Sequence, residues 1–347
     1  MIFHTEEVNK KRVLKTRFFM YYIFMLVSGE KFGAFIVPTG VGASIGGYAG
    51  DASVWARKFS QISRLIVNPN VVNAASFSGI NNKMFYVEGY SLDEFFKGNL
   101  KLKPSENNAI GIIFDKAIPQ DVLNVHINTL NAVKTVYGVD IIDYEITPDE
   151  VGVEFYVDET GVSVGRVNNA ETLKVAAEKL IDKGANAIAI VCLFEDTDDD
   201  DNYSNGVGVD SVGGVEAIIS HYISKELKVP CAHSPAFRDY QIYPNIVNPK
   251  ASAEYVTPTF LPCILLGLAN APLLNGDISV EMLDYLVMPY NSLGSIPVFE
   301  ALKRGIKVFA VKENSTVLDV TNENLHKNDG IIIVETYAEC LELVKSL

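Results

Sequence analysis

This chain predicts an α/β fold of mostly parallel sheets covered by helices on both faces, arranged in two lobes, and three observations carry the expectation. Near-continuous Val/Ile runs of about four to eight residues read as strands buried on both sides. Segments of helical period separate nearly all of them, which is the alternation that builds parallel sheets. The exception is Val151-Gly-Val-Glu-Phe-Tyr-Val157, which alternates, turns at Asp158-Glu-Thr-Gly161 and returns as Val162-Ser-Val-Gly-Arg166, an antiparallel hairpin near 151–166. With 347 residues, 48% of them hydrophobic, there is chain enough for a large core. The hairpin is taken as the divide, giving lobes over 31–150 and 151–347 behind an N-terminal extension over 1–30.

That extension joins Lys10-Lys-Arg-Val-Leu-Lys-Thr-Arg17 to Phe18-Phe-Met-Tyr-Tyr-Ile-Phe-Met-Leu-Val27, the basic and apolar regions of a signal peptide. Ten apolar residues are too few for a helix that spans a bilayer, and no small-x-small site precedes Glu30. Three readings stay open: a dispensable or mis-started extension with Met25 as the true start, an ordered extra element, or a targeting segment. Next comes Ala34-Phe-Ile-Val-Pro-Thr-Gly-Val-Gly-Ala-Ser-Ile-Gly-Gly-Tyr-Ala-Gly-Asp51, an apolar strand, a loop with five glycines and a helix starting at Asp51. Strands follow at Leu65–Val67, Met84–Glu88, Ala109–Asp115 and Val139–Glu145. Between the last two, Pro119–Tyr137 is a helix with Val122, Leu123, Ile127, Leu130 and Val133 on one face, and His126 on that stripe reads as a satisfied, partly buried histidine.

Behind the hairpin come a helix over Ala170–Lys183, a strand over Ala187–Phe194, a helix over Val212–Leu227 entered through Gly213-Gly214, and a strand over Lys228–His233. Phe260–Leu268 is apolar throughout and reads as a buried helix. The strand Tyr285–Met288, the loop Pro289–Ser295, the helix Pro297–Arg304, the strand Val308–Val311 and a final strand and helix over Ile331–Leu347 close the chain. No fixed-period repeat or heptad pattern occurs.

Forty-three acidic against twenty-nine basic residues give a net charge of −14, which opposes nucleic acid and anionic membranes as partners. Cys192, Cys231, Cys263 and Cys340 form no Cys-x-x-Cys pair, and a reducing cytoplasm suits them. A small-molecule ligand is the expected partner, and a homo-oligomer is compatible with the composition.

Ligands of open α/β sheets bind at the carboxyl ends of the strands. In the glycine-rich loop this selects Thr39, Gly40, Gly42, Ser44, Gly46 and Gly47. After the second strand it selects Asn70 and Asn73, whose alternative reading is turn formation. Gly213 and Gly214 enter one helix, and Asn291, Ser292 and Ser295 precede another. The loops Gly40–Gly50, Val212–Gly214 and Asn291–Ser295 are expected to meet, with backbone N–H groups at helix starts attracting a carboxylate or phosphate. The alternative is that the glycines serve only turns and packing. Neither the dinucleotide fingerprint nor the Walker A pattern fits the first loop.

Four residues are candidate catalytic groups: Asp51, Glu88, Cys231 and His233. Asp51 is read as a helix N-cap, or as a base or metal ligand turned into the site. Cys231 and His233, two apart on a strand, share a face, so an imidazole beside the thiol would lower its pKa; the alternative is a small buried cysteine. A two-thiol racemase would need Cys263 opposite Cys231. In Glu195-Asp-Thr-Asp-Asp-Asp-Asp201, six carboxylates in seven residues make Glu195, Asp196 and Asp198 candidate Mg²⁺ ligands or simply a solvated loop. Zinc has no His/Cys ligand spacing to support it.

Over about Phe35 to Val320 the chain resembles an uncharacterised family known only as a domain of unknown function. The motifs are Pro38-Thr-Gly-Val-Gly-Ala-Ser-Ile-Gly-Gly-Tyr-Ala-Gly-Asp51, Pro69-Asn-Val-Val-Asn73, Tyr86-Val-Glu-Gly-Tyr90, Pro230-Cys-Ala-His-Ser-Pro235 and Thr259-Phe-Leu-Pro262. The resemblance supplies no reaction. Similar proteins carry His at the position of Asn68 and Cys-Gly-Gly at Leu293-Gly294-Ser295, which shifts weight here toward Asp51, Asn70, Glu88, Cys231 and His233. Three function classes remain: an enzyme of hydrolase, lyase or isomerase type acting on a small polar or anionic metabolite, a non-catalytic metabolite-binding or sensor protein, and a structural or assembly subunit.

Overall fold

The computed structural model describes residues 30–195, 201–325 and 330–347. The expectations for the extension before Glu30, and for Asp196 and Asp198, lie outside those residues. The strands that carry the architecture are β1 (Lys31–Phe35), β2 (Ser63–Val67), β3 (Met84–Tyr86), β4 (Ile110–Phe114), β5 (Ile141–Ile146) and β6 (Val153–Val157). They continue as β7 (Ser163–Val167), β8 (Ala187–Leu193), β9 (Cys231–Ala236), β10 (Tyr285–Pro289), β11 (Lys307–Val311) and β12 (Ile331–Val334). The main helices are α1 (Ser53–Ser60), α2 (Gly89–Lys97), α3 (Gln120–Tyr137), α4 (Ala170–Asp182), α5 (Gly213–Leu227), α6 (Leu261–Ala269), α7 (Ile296–Lys303) and α8 (Tyr337–Lys345).

Six strands form a parallel sheet in the order β12-β11-β10-β1-β2-β3, and four form a second in the order β9-β8-β4-β5. β6 and β7 pair antiparallel, from Val153 opposite Val167 to Val157 opposite Ser163. The expected fold class is therefore the observed one. Each parallel sheet grows outward in both directions from an inner strand, so each has a switch point, at β1/β10 and at β4/β8.

Strand pairing does not follow the divide expected at residue 150. β4 and β5 lie before it and β8 and β9 behind it, yet all four share one sheet, while the larger sheet joins residues 31–86 to residues 285–334. The four-stranded sheet is thus inserted in the larger one, and the hairpin is an excursion inside the insertion. Parallel neighbours require crossovers, so adjacency in sequence cannot fix which strands pair.

Alternate side chains of the larger sheet go to opposite cores. Phe35, Leu65, Val67, Val287 and Phe309 pack with Ala56 and Phe59 of α1 and Tyr337 of α8. Phe32, Ala34, Ile66, Leu286 and Val308 pack with Phe95 and Phe96 of α2 and Val298 of α7. In the smaller sheet Ile113, Ile188 and Ile190 pack on α4 and α5. Its other face, with Ile112, Phe114, Ala189 and Val191, joins the same cluster as α1 and the larger sheet.

The element shared by both sheets is α6. Eight of its nine residues are buried, which an apolar helix without a polar face can achieve only between layers. Its carboxyl end is completed by Asn108, 1% exposed, whose Nδ2 donates to Leu268 O and Ala271 O at 2.8 Å each while its backbone N–H donates to Ala269 O. Ser105 Oγ holds the amide from the other side at 2.6 Å. Among the described residues no helix is long and apolar enough to cross a membrane.

Asn108→Ala strips two buried carbonyls of their donor at once. At about 1–3 kcal/mol for each buried group left unsatisfied, urea unfolding should show a loss of roughly 2–6 kcal/mol with m unchanged. A loss under about 0.5 kcal/mol would mean that α6 does not depend on this cap.

Candidate functional site

The carboxyl ends of β1, β2 and β9 open onto one cleft of about 650 Å³, within the usual range for metabolite pockets. Its walls include Thr39, Gly46 and Gly47 from the glycine loop, and Asn70 and Asn73 beyond β2. His233 from β9 and Glu216 from α5 complete the inner end.

Backbone geometry explains the glycine loop. Gly46 has φ 89°, and a Cβ there would meet the Val37 side chain at 2.9 Å. Gly50 has φ 87°, and a Cβ would come within 2.4 Å of the Ala74 Cβ. Asn314, fully buried, organises the turn: its Oδ1 accepts from Ile45 N at 3.0 Å, and its Nδ2 donates to Ile45 O at 2.7 Å and Tyr337 Oη at 2.6 Å. Ser44 belongs to the same clamp, with its N–H on Ser315 O at 2.7 Å and its hydroxyl accepting from Ser315 N at 2.9 Å.

The amide groups expected to hold an anion are largely taken. Gly46 N–H donates to Asp51 Oδ1 at 2.5 Å, Ala49 N–H to Glu254 Oε1 at 2.6 Å, and Gly214 N–H to Ser163 Oγ at 2.9 Å. Asp51 is not the N-cap expected for the first helix. Ala52 holds that position, and the Asp51 carboxyl turns back to the loop, where burial pushes its pKa up to about 6 against the pull of the Gly46 amide and of Lys250.

Two of the three loops expected to meet do so directly. Gly40 O accepts from Ser163 N at 2.8 Å, and Ser163 Oγ accepts from Gly214 N and donates to Ser211 O at 2.7 Å, so β7 ties the Gly40 loop to the start of α5. A Cβ on Gly213 would lie 3.1 Å from the Thr39 methyl. Gly40, Gly213 and Gly214 shape this junction, Gly42 lies against Val209 and Val317, Ser44 stays in its clamp with Ser315, and none of the five lines the cleft. The third loop acts at one remove. Asn291 Nδ2 donates to Thr316 O and Leu318 O, Ser292 Oγ donates to Pro289 O, Ser295 occupies the N-cap position of α7, and none of the three lines the cleft. The segment that Asn291 holds reaches the cleft through Val317, whose N–H donates to Val41 O at 2.9 Å.

β9 runs over Cys231–Ala236, so His233 is a mid-strand residue and not the strand tip that was expected. Lys228, with φ 55°, ends α5, and Pro230 has no N–H to start the ladder earlier. Cys231 and His233 do both face α5, but the consequence is opposite to the one expected. Cys231 is fully buried among apolar side chains, and burial, with Glu88 nearby, pushes its thiol well above the ordinary range. His233 Nδ1 goes to Ser220 Oγ at 2.8 Å instead. Cys263 lines the cleft and Cys231 does not; burial holds the Cys263 thiol up at about 12, so a two-thiol site has no geometric basis.

Instead the structure joins Asn73, Glu88 and His233, all expected in the site, through Tyr86, noted only within a motif, and Ser220, which was not noted. Asn73 Nδ2 donates to Tyr86 Oη at 3.2 Å, Tyr86 Oη to Glu88 Oε1 at 2.8 Å, and Ser220 Oγ to Glu88 Oε2 at 3.5 Å. Ser220 Oγ also reaches Ala217 O at 3.3 Å, and in the tautomer that carries its proton on Nδ1, donating to Ser220, His233 has Nε2 as its lone-pair nitrogen. Nε2 lies 4.0 Å from Glu216 Oε2, and Glu216 Oε1 is buried without a partner. Burial drives the two groups to opposite protonation tendencies. The His233 pKa falls to about 3, keeping the ring neutral, while Glu216 rises well above the carboxylate range, with Asp210, Glu88 and Glu254 adding to the effect. Asn70 Nδ2 donates to Pro38 O at 2.9 Å, fixing the β1 and β2 tips together.

Glu216, Asp210 and Glu254 escaped the sequence reading. One signal was available: Glu216 falls on the same buried face of its helix as Val215, Ile219, Ser220 and Ile223, where an acid is out of place. Glu195 is exposed after β8, and among the described residues no group of three or more His, Cys, Asp or Glu side chains is placed to hold a metal.

Fold and cleft define a two-sheet α/β protein with an acid-lined pocket at the strand ends. The chain belongs to the family described as a protein of unknown function, DUF3326, whose model matches residues 33–347. It is similar to an uncharacterized lipoprotein of Synechococcus sp., 37% identical over 296 residues that cover 82% of each chain. No solved structure matches it.

Two measurements check this electrostatic picture. Glu88, 6% exposed, is raised by burial from 4.5 to about 8, so its contribution to stability is full below pH 4.5 and lost as pH rises through 8. At about 1.4 kcal/mol per pH unit that is on the order of 3–5 kcal/mol for complete ionisation. His233 acts in the opposite sense, below its ordinary 6.5. Stability should therefore fall as pH rises from 6.5 through 8, and Glu88→Gln should flatten the slope; an unchanged slope would remove Glu88 as its source. Alkylation at pH 8 should leave Cys231 unlabelled until the protein unfolds, and rapid native labelling would contradict its burial.

Proposed function

We propose that the protein is an enzyme of hydrolase, lyase or isomerase type that moves a proton on a small polar metabolite bound in the cleft, with Glu216 as acid and His233 as base. The observation that carries this reading is a buried carboxyl and a neutral imidazole 4.0 Å apart, pushed to opposite protonation tendencies, at the inner end of a metabolite-sized cavity. His233 Nε2 takes a proton from the substrate and Glu216 delivers one. The imidazolium and carboxylate so formed are neighbours, and passing the proton between them restores both groups. Ser220 and Glu88 are positioning residues: Ser220 holds Nδ1 and so fixes which ring nitrogen faces the substrate, and Glu88 orients Ser220. Thr39, Asn70 and the Gly46–Gly47 backbone offer polar contacts along the wall.

The cytoplasm remains our proposed compartment, supported by four unpaired cysteines, all buried. The word lipoprotein in the Synechococcus relative's name would place that protein at a membrane, and locating the native chain by fractionation separates the two.

Incubation with a metabolite extract in D₂O, followed by NMR, should reveal a compound that exchanges or converts in the presence of the protein. Glu216→Gln and His233→Phe should each slow that conversion by about 10²–10⁴-fold. Full activity in both variants would remove the acid/base assignment, and a bound compound with no exchange or conversion would make the protein a binder.

A further inference from the structure

We infer that the cleft takes a protonated amine, whose N–H donates to Glu216 Oε1. This deepens the proposed proton-transfer site by naming the substrate class of the same cavity. Glu216 is 8% exposed, lines the cleft and leaves Oε1 without a donor. An acceptor held in place with nothing to accept is a vacancy for an N–H or O–H group of a ligand.

Charge favours an N–H that carries a positive one. Four of the described wall residues are acids, namely Asp210, Glu216, Asp239 and Glu254, and none is Lys or Arg. The buried acids have no cationic side chain against them among the described residues. Asp210 Oδ1 accepts from Val212 N at 3.1 Å, and Glu254 Oε1 accepts from Ala49 N at 2.6 Å and Tyr203 Oη at 3.1 Å. Those hydrogen bonds orient the carboxyl groups, whose pKa values burial raises, so that they ionise when a cation enters beside them. Each of Asp210, Glu216 and Glu254, once ionised, raises the cost of ionising its neighbours, and an ammonium in the cleft offsets that cost. Glu216 Oε1 accepts from an ammonium whether the group is acid or carboxylate, and the neighbouring acids supply the compensating charge by ionising as the cation binds.

The walls suit an organic cation better than a bare ion. Phe237, Tyr243, Tyr255 and Phe260 line the same cavity, and the faces of aromatic rings attract ammonium groups. Tyr48 already has such a partner, since the Lys250 Nζ stands 4.4 Å from its ring centre while Tyr203 stacks at 4.5 Å. A volume of about 650 Å³ exceeds what one ion needs. No set of three metal-ligating side chains stands among the described residues, and the amides that would hold an anion are engaged with Asp51, Glu254 and Ser163.

Isothermal titration of the full chain at pH 7 with ethanolamine, putrescine and glucosamine, set against acetate, inorganic phosphate and Mg²⁺, tests the inference. At least one amine should bind with Kd below about 1 mM. Glu216→Ala, which removes the acceptor, should weaken it tenfold or more, and Phe237→Leu, which leaves the acids in place, several-fold. The inference is overturned if no amine binds with Kd below about 1 mM, if acetate or phosphate binds in preference, or if Glu216 controls only a Mg²⁺ response. Amine binding with no proton transfer would support it while removing the enzyme reading; Glu216-dependent turnover of an anionic compound would remove it and leave that reading standing.

Discussion

A helix with no polar face has to be buried on all sides, and α6 meets that demand by lying between the two sheets. Its apolar residues share a single cluster with side chains of β2 and β3 from the larger sheet and of β4, β8 and β9 from the smaller. The backbone agrees with the packing: Cys263 N–H donates to Ala75 O at 3.2 Å, and Gly267 lets the Tyr86 ring come within 3.1 Å of where a Cβ would stand. Tyr86 is then held where its hydroxyl reaches Glu88. Packing of one buried helix thus sets the distance between the sheets, and with it the shape of the cleft.

Within the cleft, hydrogen-bond supply bears on what kind of ligand the proposed site would accept. A glycine loop before a helix offers amide donors, and in many α/β proteins an anion takes them. Here Asp51, Glu254, Asn314 and Ser163 take them, so carboxyl groups occupy the positions that an anionic ligand would need. The glycines remain necessary for their backbone angles at Gly46 and Gly50. What is left open toward the cavity is acceptor capacity, chiefly the unpartnered oxygen of Glu216. Desolvation keeps that acid and the adjacent imidazole neutral, which is the state in which one can give and the other take a proton.

Much of the site was legible in one dimension, though not its connections. Thr39, Gly46, Gly47, Asn70 and Asn73 were visible as polar or glycine residues following apolar strands, and they line the cleft. His233 was visible as well, but its partner was assigned from strand periodicity alone. Period two correctly puts Cys231 and His233 on one face, yet α5 covers that face, and the helix supplies Ser220 to the ring while its apolar side chains enclose the thiol. Asp51 was read by the local rule for helix starts, and the chain bends so that the same carboxyl serves the loop before it. The loop at Asn291 had the right composition for a site but is one layer away, bound to the segment at Thr316–Leu318.

By itself the sequence determined the elements and their burial: apolar runs must be strands inside layers, α6 must be enclosed, and the alternating stretch at Val153–Val157 must pair antiparallel. These follow from local period and composition, which each segment carries with it. Tertiary structure decided which strands share a sheet, placing β4 and β5 with β8 and β9 across the boundary expected at residue 150. It also decided the chemistry of the cleft, because the ionisation of Glu216 depends on exclusion of water and on Asp210, Glu88 and Glu254, brought near by folding. Desolvation and charge coupling act through space, so a chain of letters cannot express them until the sheets have met.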